Sequence, residues 1–505
     1  MSLIFEEMFF SKADSEKFQM FRVLNTLGAE SFTLNDIGTE MNMSYQKTYN
    51  IYQGLLEDMV LIDPSIEYDK LNKKDITSEN FPVPIDMYRL FLLKGSIVFQ
   101  AFDYAFQTQK PAIDEFCNAH FISKSTLLRK MSPLRKYMKQ YGISISTSNL
   151  KFEGDERRIR FLFFTIYWIG YHGQEWPIKH LQPEAVRPIL ARTTLSNPDD
   201  PILEMQNTLF MAICRIRIIN GYVVKNMDSF KPFFYDAETR EHPFLTTADY
   251  PRFSFEDMAN ESLFTYFYNT VTGRVNHRPS FETQQLYQYN RTHNTLLWQF
   301  SNDFFTFIAD YYDINSEAQE RSLNTNVQLV ANLMRITLSY SVLGGRRVRL
   351  LDFYRTSQQS YERTTLWDII TLFFKIKNRQ NLFQDLMPFQ ESLTSEIYFL
   401  IAPYLKVLRT GQLVKIKLLI ERSDLISRDI QFFLEDLNMI TILPQNAPLA
   451  AADIVITTID LDVLYGHDIP PDLQVIKWNL DSWTVDFYKL YLKIQKTFRD
   501  KISGA

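Results

Sequence analysis

Cysteine is scarce in this sequence. The chain of 505 residues has two, Cys117 and Cys214, which are too few for a disulfide framework and lack the spacing of a zinc site. Catalytic signatures are absent as well, since no Gly-x-Ser-x-Gly, no phosphate-binding Walker loop and no His-Glu-x-x-His occurs. We therefore expect no enzyme, and neither a cofactor nor a metal ion.

Long hydrophobic runs are missing too. The longest apolar-rich stretch, FLFFTIYWIGY at 161–171, is too short to span a bilayer, so no membrane association is predicted. The first residues, MSLIFEEMFFSK, have no basic region ahead of an apolar run and predict no signal peptide. We expect a cytoplasmic protein. Its 41 Phe and 27 Tyr residues can fill several cores, and its length suggests roughly three to five domains.

Positive charge is concentrated in one segment, although the chain as a whole has a net charge of −5. Residues 121–160 contain ten basic residues against three acidic ones. A cationic segment in an anionic protein predicts contact with a polyanion. The basic residues are Lys124, Arg129, Lys130, Arg135, Lys136, Lys139, Lys151, Arg157, Arg158 and Arg160.

The same segment has the pattern of a winged helix-turn-helix. A helix at 112–118 and a turn at 119–122 precede a second helix with apolar Leu127, Leu128, Met131 and Leu134, which Ser123 or Ser125 can cap. Gly142 and two alternating segments, ISIS and LKFE, follow as a hairpin or wing. The first turns of such a helix reach base edges in DNA, whereas the simpler alternative is a solvated basic helix. The predicted DNA-binding residues are Lys124, Ser125, Thr126, Arg129, Lys130 and Lys151.

A second helix-turn-helix pattern precedes it, at 32–59. Thr33 and Asp36 predict a capping box, and Ser44 can cap a helix that runs to Glu57. Because Lys47 is the only cation in that helix, we expect modest DNA contact. The alternative is a packing or dimerisation module. The exposed start of the helix carries Tyr45, Gln46, Lys47, Tyr49 and Asn50.

In the remaining two thirds of the chain, the predicted secondary structure changes near residue 411 from helices alone to strands and helices. Residues 161–405 have helical periodicity over a length that fits two bundles. From 411 onwards, short apolar strands at 413–420, 439–443, 453–457 and 475–478 alternate with helices at 424–437 and 481–498. This alternation predicts a small α/β sheet. A long helix at 85–106 is also expected.

This layout resembles the Mga/AtxA-type virulence regulators of Gram-positive bacteria. The resemblance is clearest in FTLNDIGTEMNMSYQKTYNIYQGLLEDM and in STLLRKMSPLRKYMKQYGISISTSNLKFEGDERRIRFL. It implies a mainly α, multidomain regulator with a first winged helix-turn-helix (1–63), a connector and a second one (64–160), two helical phosphotransferase-system regulation domains or PRDs (161–290 and 291–405), and a small α/β tail like the phosphotransferase EIIB subunit (411–505). Its implied partners are double-stranded DNA, further copies of the chain as a homodimer or larger homo-oligomer, and phosphotransferase-system phosphocarrier proteins.

Regulation domains of this family are often controlled by phosphorylation of histidine. No histidine lies between His293 and His467, so the second domain lacks an acceptor. His242 and His277 are the candidates in the first domain, with His277 favoured because arginines flank it. The structural alternative is a surface or core imidazole. The tail also lacks the cysteine of a true phosphocarrier.

Two other functions are consistent with parts of the sequence. A sugar-uptake phosphocarrier is disfavoured by the missing cysteine. An RNA-binding antiterminator with the same regulation domains carries a short β-rich N-terminal domain, whereas residues 15–59 are helical in pattern. We therefore predict a DNA-binding transcriptional regulator.

Overall fold

The computed structural model is mostly helical, with two small sheets in the part it describes. Described are residues 5–26, 32–65, 76–77, 80–193, 200–234, 243–272, 280–311, 326–353, 362–402, 413–420, 428–437, 439–459, 461, 469–470, 473–478 and 484–503. The chain divides into two units, the first comprising Met1–Thr272 and Val342–Thr356, the second Gly273–Ser341 and Ser357–Ala505. The division into five domains stays a prediction.

The first unit begins with helices and carries one hairpin. Its helices are α1 (Phe5–Phe9), α2 (Lys12–Thr26), α3 (Leu34–Glu40), α4 (Tyr45–Ile62), α5 (Ile85–Gly95), α6 (Ile97–Gln107), α7 (Ile113–Ala119), α8 (Lys124–Lys130), α9 (Ser132–Lys139), α10 (Glu156–Tyr171), α11 (Pro183–Leu190), α12 (Pro201–Ile219) and α13 (Phe255–Thr272). Strands β1 (Ser144–Ile145) and β2 (Phe152–Glu153) pair antiparallel.

Caps explain where the first helices begin. The predicted capping box of α3 is confirmed, because the Thr33 hydroxyl accepts from the Asp36 amide at 3.3 Å and the Asp36 carboxylate accepts from the Thr33 amide at 2.8 Å. Asn42 turns the chain with φ 52°. Ser44 precedes α4, but its hydroxyl makes no capping hydrogen bond. Helix α4 runs to Ile62, beyond the predicted end at Glu57.

Two predicted helices are each divided in two. The helix predicted at 85–106 breaks at Ser96, whose hydroxyl accepts from the Phe99 amide at 3.3 Å and so starts α6. The helix predicted through Leu134 ends at Lys130, and α9 begins after Met131. Pro133 explains this second break, because its ring would clash with the carbonyl one turn earlier in an unbroken helix.

The second unit contains helices and a parallel sheet. Its helices are α14 (Phe281–Thr292), α15 (Leu296–Tyr311), α16 (Val327–Leu343, of which Val342 and Leu343 belong to the first unit), α17 (Glu362–Arg379), α18 (Gln390–Ile401), α19 (Arg428–Glu435) and α20 (Thr484–Ser503). Strands β3 (Val414–Leu419), β4 (Ile440–Ile442), β5 (Ile454–Thr457) and β6 (Gln474–Lys477) lie in the order β4-β3-β5-β6, all parallel. The four strands predicted in the tail are thus confirmed.

A buried ionic network joins three helices of the first unit. Arg160 of α10 is 0% exposed and donates to the Glu261 carboxylate of α13 at 2.5 and 2.8 Å. It also donates to Glu156, which accepts from Arg217 of α12 at 2.6 and 2.9 Å. Because buried charges are costly unless paired and hydrogen-bonded, these partners fix how the three helices pack. Among the described residues, no helix has the length and apolarity needed to cross a membrane.

We predict that Glu261→Ala destabilises the first unit by about 3–5 kcal/mol, because it leaves the buried Arg160 charge without its main partner. Glu175→Ala is the matched control. It breaks the Lys94–Glu175 pair, whose side chains are 48% and 53% exposed, and should cost less than about 1 kcal/mol. Urea denaturation followed by near-UV circular dichroism measures both. Equal losses in the two variants would contradict the prediction.

Candidate nucleic-acid interface

Helices α7 and α8 form the predicted helix-turn-helix. The turn is closed by the Ile122 amide, which donates to the Cys117 carbonyl at 3.0 Å, and Phe121 takes a left-handed conformation with φ 51°. The Ser123 hydroxyl accepts from the Thr126 amide at 3.2 Å, so Ser123 rather than Ser125 caps α8. Leu127 anchors the helix because it is fully buried. Leu128 is only partly buried.

The outer face of α8 is cationic. Four of its predicted DNA-binding residues are exposed: Lys124, Ser125, Arg129 and Lys130. Thr126 is partly buried beside Ser123. Helix α9 adds Arg135, Lys136 and Lys139, which are also exposed. In the described part of the chain none of the six cations of α8 and α9 forms an ion pair, so their charges remain available to an external anion.

The wing is short and nearly uncharged. Ile145 pairs with Phe152, and the Ser146 amide donates to the Lys151 carbonyl at 2.8 Å, which closes the hairpin. Thr147 and Ser148 are exposed at its tip. Lys151 is partly buried, so the wing presents less charge than the sequence suggested.

Three arginines of the cationic segment face the protein interior, which corrects the charge estimate from sequence. Arg157 donates to the carboxylate of Asp155 at 2.6–3.1 Å and to the Val342 carbonyl at 3.0 Å. Arg158 donates to the carbonyls of Tyr141 and Leu343, and Arg160 belongs to the buried network. These guanidinium groups are used to hold the fold, and they are not part of the outer cationic face.

Asp155 caps α10 at the base of the wing, where its carboxylate accepts from the Arg157 amide at 2.9 Å. Burial would raise the pKa of this carboxyl group, but the hydrogen bonds and charge of Arg157 outweigh burial and hold the pKa below its usual range. A carboxyl group with a lowered pKa in the folded state stabilises the protein at neutral pH. That contribution disappears as the pH falls below about 4 and through the folded pKa.

Residues 342–353, which we term the strap, pack against the base of the wing. Besides accepting hydrogen bonds from Arg157 and Arg158, the strap contacts Tyr141, whose hydroxyl donates to Asp352 at 2.9 Å. Its Arg347 donates to the Val271 carbonyl at 3.1 Å and lies 4.9 Å from the ring centre of Phe161. Arg347 is thus held against α10 and α13 by contacts within the protein.

Gly345 lies directly on the Arg158 guanidinium group. A Cβ atom at this position would come within 2.5 Å of Arg158 Nη2 and 2.8 Å of its Cζ. The guanidinium group cannot move freely to make room, because it is held by two carbonyl oxygens. Glycine is therefore required at 345 by close packing.

The earlier helix-turn-helix has a different surface. Lys47 is 43% exposed and forms an ion pair with Glu16 of α2 at 2.8 Å, so its charge is already matched. Gln46 donates to Asn50 at 3.1 Å on the exposed side of α4. Tyr45 is 53% exposed, and its ring stacks with that of the partly buried Tyr49 at 6.5 Å. The structure gives this helix little free positive charge.

The structure does not test the predicted phosphorylation sites. His242 and His277 lie outside the described residues, so their phosphorylation stays a prediction. Within the described ranges, no three His, Cys, Asp or Glu residues are grouped so as to hold a metal ion. The strap was missed by sequence reasoning, and its only local signal is the glycine pair 344–345.

Comparison with known proteins identifies the same region. Residues 85–167, from the start of α5 into α10, match the family model described as the Mga helix-turn-helix domain. The capsule synthesis positive regulator AcpB of Bacillus anthracis is 24% identical over 153 residues, which cover 30% of this chain and 31% of that protein. A protein of Streptococcus pneumoniae described as a trans-acting regulator is 27% identical over 107 residues, or 21% and 22% of the two chains. The matches thus span less than a third of these relatives.

We predict that Gly345→Ala destabilises the protein by about 1–3 kcal/mol, because the added methyl group separates the Arg158 guanidinium from at least one carbonyl acceptor. Gly95→Ala is the matched control, since a Cβ there meets no atom within 4 Å. At this last residue of α5 alanine should be neutral or stabilising. The comparison uses urea denaturation of both variants. A Gly345→Ala protein as stable as Gly95→Ala would show that the close contact is unimportant.

Proposed function

We propose that the chain is a transcription regulator of the Mga/AtxA type and that it binds duplex DNA chiefly through α8 and α9. The observation that carries the proposal is the set of exposed, unpaired cations on the described surface of these two helices, inside the segment that matches the Mga helix-turn-helix domain. Phosphates provide most of the affinity of a DNA-binding protein, and lysine and arginine neutralise them with release of counterions.

The two ends of the cationic face have different roles in this proposal. Lys124 and Ser125 lie in the first turn of α8, the part of a recognition helix that reaches base edges in the major groove. Arg129 and Lys130 lie in its last turn, and we assign them to phosphates, which fix the orientation of the protein on the duplex. Lys151 of the wing, being partly buried, contributes less.

The first helix-turn-helix has a secondary role. Lys47 is paired with Glu16, and a matched charge releases few counterions on binding because it must first exchange its partner. We assign α4 to orientation or packing, with Tyr45, Gln46 and Asn50 as its polar contacts.

Removing the phosphate contacts should weaken binding in a salt-dependent manner. We predict that Arg129→Ala with Lys130→Ala lowers affinity and reduces the slope of log affinity against log salt by about 0.9 for each lost contact. Fluorescence anisotropy on a promoter duplex at several salt concentrations measures the slope. An unchanged affinity and slope in a folded variant would remove this surface from the proposal.

The matched control is Gln46→Ala with Lys47→Ala, which alters the same number of residues on the other helix-turn-helix. It should weaken binding less and change the slope less, because Lys47 already has a partner. The opposite ranking would assign the main DNA contact to α4. Binding of duplex RNA as tight as that of duplex DNA would contradict the DNA proposal itself.

We further propose that the rest of the chain serves assembly and control, with PRD-like helical domains at 161–290 and 291–405 and an EIIB-like tail at 411–505. The all-parallel order β4-β3-β5-β6, with α19 between β3 and β4 and α20 after β6, supports the assignment of the tail. Its last helix, α20, exposes two large apolar side chains. Tyr488 and Leu492 are one turn apart on α20 and are 62% and 43% exposed, which supports contact with a second copy of the chain.

We predict that Tyr488→Lys with Leu492→Lys lowers the molecular mass of the assembly in solution, because two new charges would have to be desolvated at the contact. Light scattering with size-exclusion chromatography gives the mass. Leu61→Lys is the control, since Leu61 is 71% exposed on α4 and lies far along the chain from the tail. A double variant that keeps the full mass would assign the tail another role.

Control by histidine phosphorylation is the remaining question raised by the family. We propose that neither His242 nor His277 is phosphorylated and that the helical domains act mainly as a dimerisation body. Incubating the purified chain with the general phosphotransferase proteins and labelled phosphoenolpyruvate should therefore give no stoichiometric label. Label that appears in the wild type and is lost in His277→Ala would overturn this proposal and make the phosphocarrier proteins partners.

A further inference from the structure

A pocket of about 610 Å³ lies at the C-terminal end of α10, within the first unit. Its walls are the last turn of α10, the following loop at 172–177, and the first turns of α11 and α12. Volumes of 300–1,000 Å³ are typical of small-molecule sites. The apolar lining is formed chiefly by Trp168, Tyr171, Trp176, Met205 and Leu209, with prolines at 177, 183 and 201.

The walls of the pocket are held in place by the fold. The Trp176 ring is fixed by its Nε1, which donates to the Leu181 carbonyl at 2.8 Å. His172 ends α10 in a left-handed conformation, φ 38°, and its Nδ1 lies 2.6 Å from the Asp86 carboxylate. Prolines begin α11 and α12. A site built on such constrained elements needs little ordering when a ligand binds, which favours affinity.

Most of the polar side chains that line the pocket already have partners within the protein. Glu175 pairs with Lys94 at 2.5 Å, and the Thr208 hydroxyl donates to the Glu204 carbonyl at 2.7 Å. Arg187 is 64% exposed at the rim and lies 4.0 Å from Glu184. A charged ligand would lose its hydration on entering without gaining a dedicated counter-charge, and this loss is costly. An uncharged ligand avoids it.

Met205 projects into this space from α12. Its side chain is 44% exposed although it lies among the apolar walls, and its sulfur lies 3.3 Å from where a Cβ on Gly173 would be. Methionine is flexible and polarisable, and it forms favourable contacts with aromatic rings. Together with two tryptophans and a tyrosine it provides a surface suited to a flat ring.

From the volume, the aromatic walls and the paired polar groups, we propose that this pocket binds an uncharged small molecule that contains an aromatic or similar planar ring. The site is separate from the cationic face of α8 and α9 and does not depend on DNA binding. The ring stacks against the tryptophans and Met205. Binding is favourable because the ring and the apolar walls are both removed from water.

Fluorine NMR with three probes that share a 4-fluorophenyl ring tests both the site and the charge it accepts. The probes are 4-fluorophenol, which is neutral at pH 7, 4-fluorobenzoate, which is anionic, and 4-fluorobenzylammonium, which is cationic. We expect the full-length protein to bind 4-fluorophenol with a dissociation constant on the order of 1 mM, as suits so small a ligand. Each charged probe should bind at least about tenfold more weakly. Failure of the neutral probe to bind, or tighter binding of either ion, would overturn the proposal.

Met205→Trp locates the binding event. The larger side chain fills the pocket and should weaken 4-fluorophenol binding by about tenfold or more. Ile202→Trp is the matched control, since Ile202 is 65% exposed on the same helix and outside the pocket lining, and it should bind the probe like the wild type. Equal binding by both variants would place the probe elsewhere. If the wild type binds no probe and Met205→Trp lowers the assembly mass in light scattering, a second copy of the chain occupies the pocket, and the small-molecule proposal is wrong.

Discussion

The structure of the first unit depends on three arginine side chains that donate hydrogen bonds to carboxylates and carbonyls within the protein. Arg157, Arg158 and Arg160 occupy the first turn and a half of α10, and each must find acceptors because a guanidinium group cannot lose its proton to escape burial. Arg160 finds them in Glu261 and Glu156, whose charges overcome the effect of burial and raise the pKa of Arg160. Arg158 finds them in two backbone carbonyls, one at the base of the wing and one in the strap.

This requirement makes α10 the organising element of the unit. It starts directly after the wing and ends in the apolar pocket, a length of about 24 Å for its sixteen residues. All residues from Ile159 to Tyr171 are buried, so the helix has neighbours on every side. The same neighbours isolate Cys214, whose burial raises the pKa of its thiol to about 12, which makes this cysteine an unreactive core residue.

Much of the local structure was predictable, because it is encoded within a few residues. The Thr33–Asp36 capping box, the serine cap of α8, the Asp155 cap of α10 and the alternating strands of the wing and tail all depend on neighbours in sequence. The long-range contacts were not predictable in this way. Glu261 lies 101 residues from Arg160, and the strap lies 185 residues from Arg157 and Arg158, and no spacing rule links such distant positions.

Charge was the least reliable sequence signal for the same reason. Counting basic residues at 121–160 gives no indication of which guanidinium groups are consumed by internal acceptors. The i,i+4 spacing of Glu156 and Arg160 is a local hint of an internal pair, and it is the only one of its kind in that turn. Pro133 likewise signalled the end of α8, although the apolar spacing through Leu134 favoured one long helix.

Once the three inner arginines are excluded, the exposed positive charge of this segment lies on α8 and α9. This cationic face has fewer charges than the ten basic residues of 121–160, because three arginines point inward and Lys151 is partly buried. The charges that remain are all of one sign. The six exposed cations lie on two consecutive helices that contain no acidic residue. Repulsion among like charges in water is modest, since the solvent screens them, and the protein gains nothing internally from holding them together. We therefore interpret this face as a site for an anion outside the protein. Among the inner arginines, Arg158 holds the segment that follows α9, because it donates to the carbonyl of Tyr141 as well as to that of Leu343 in the strap.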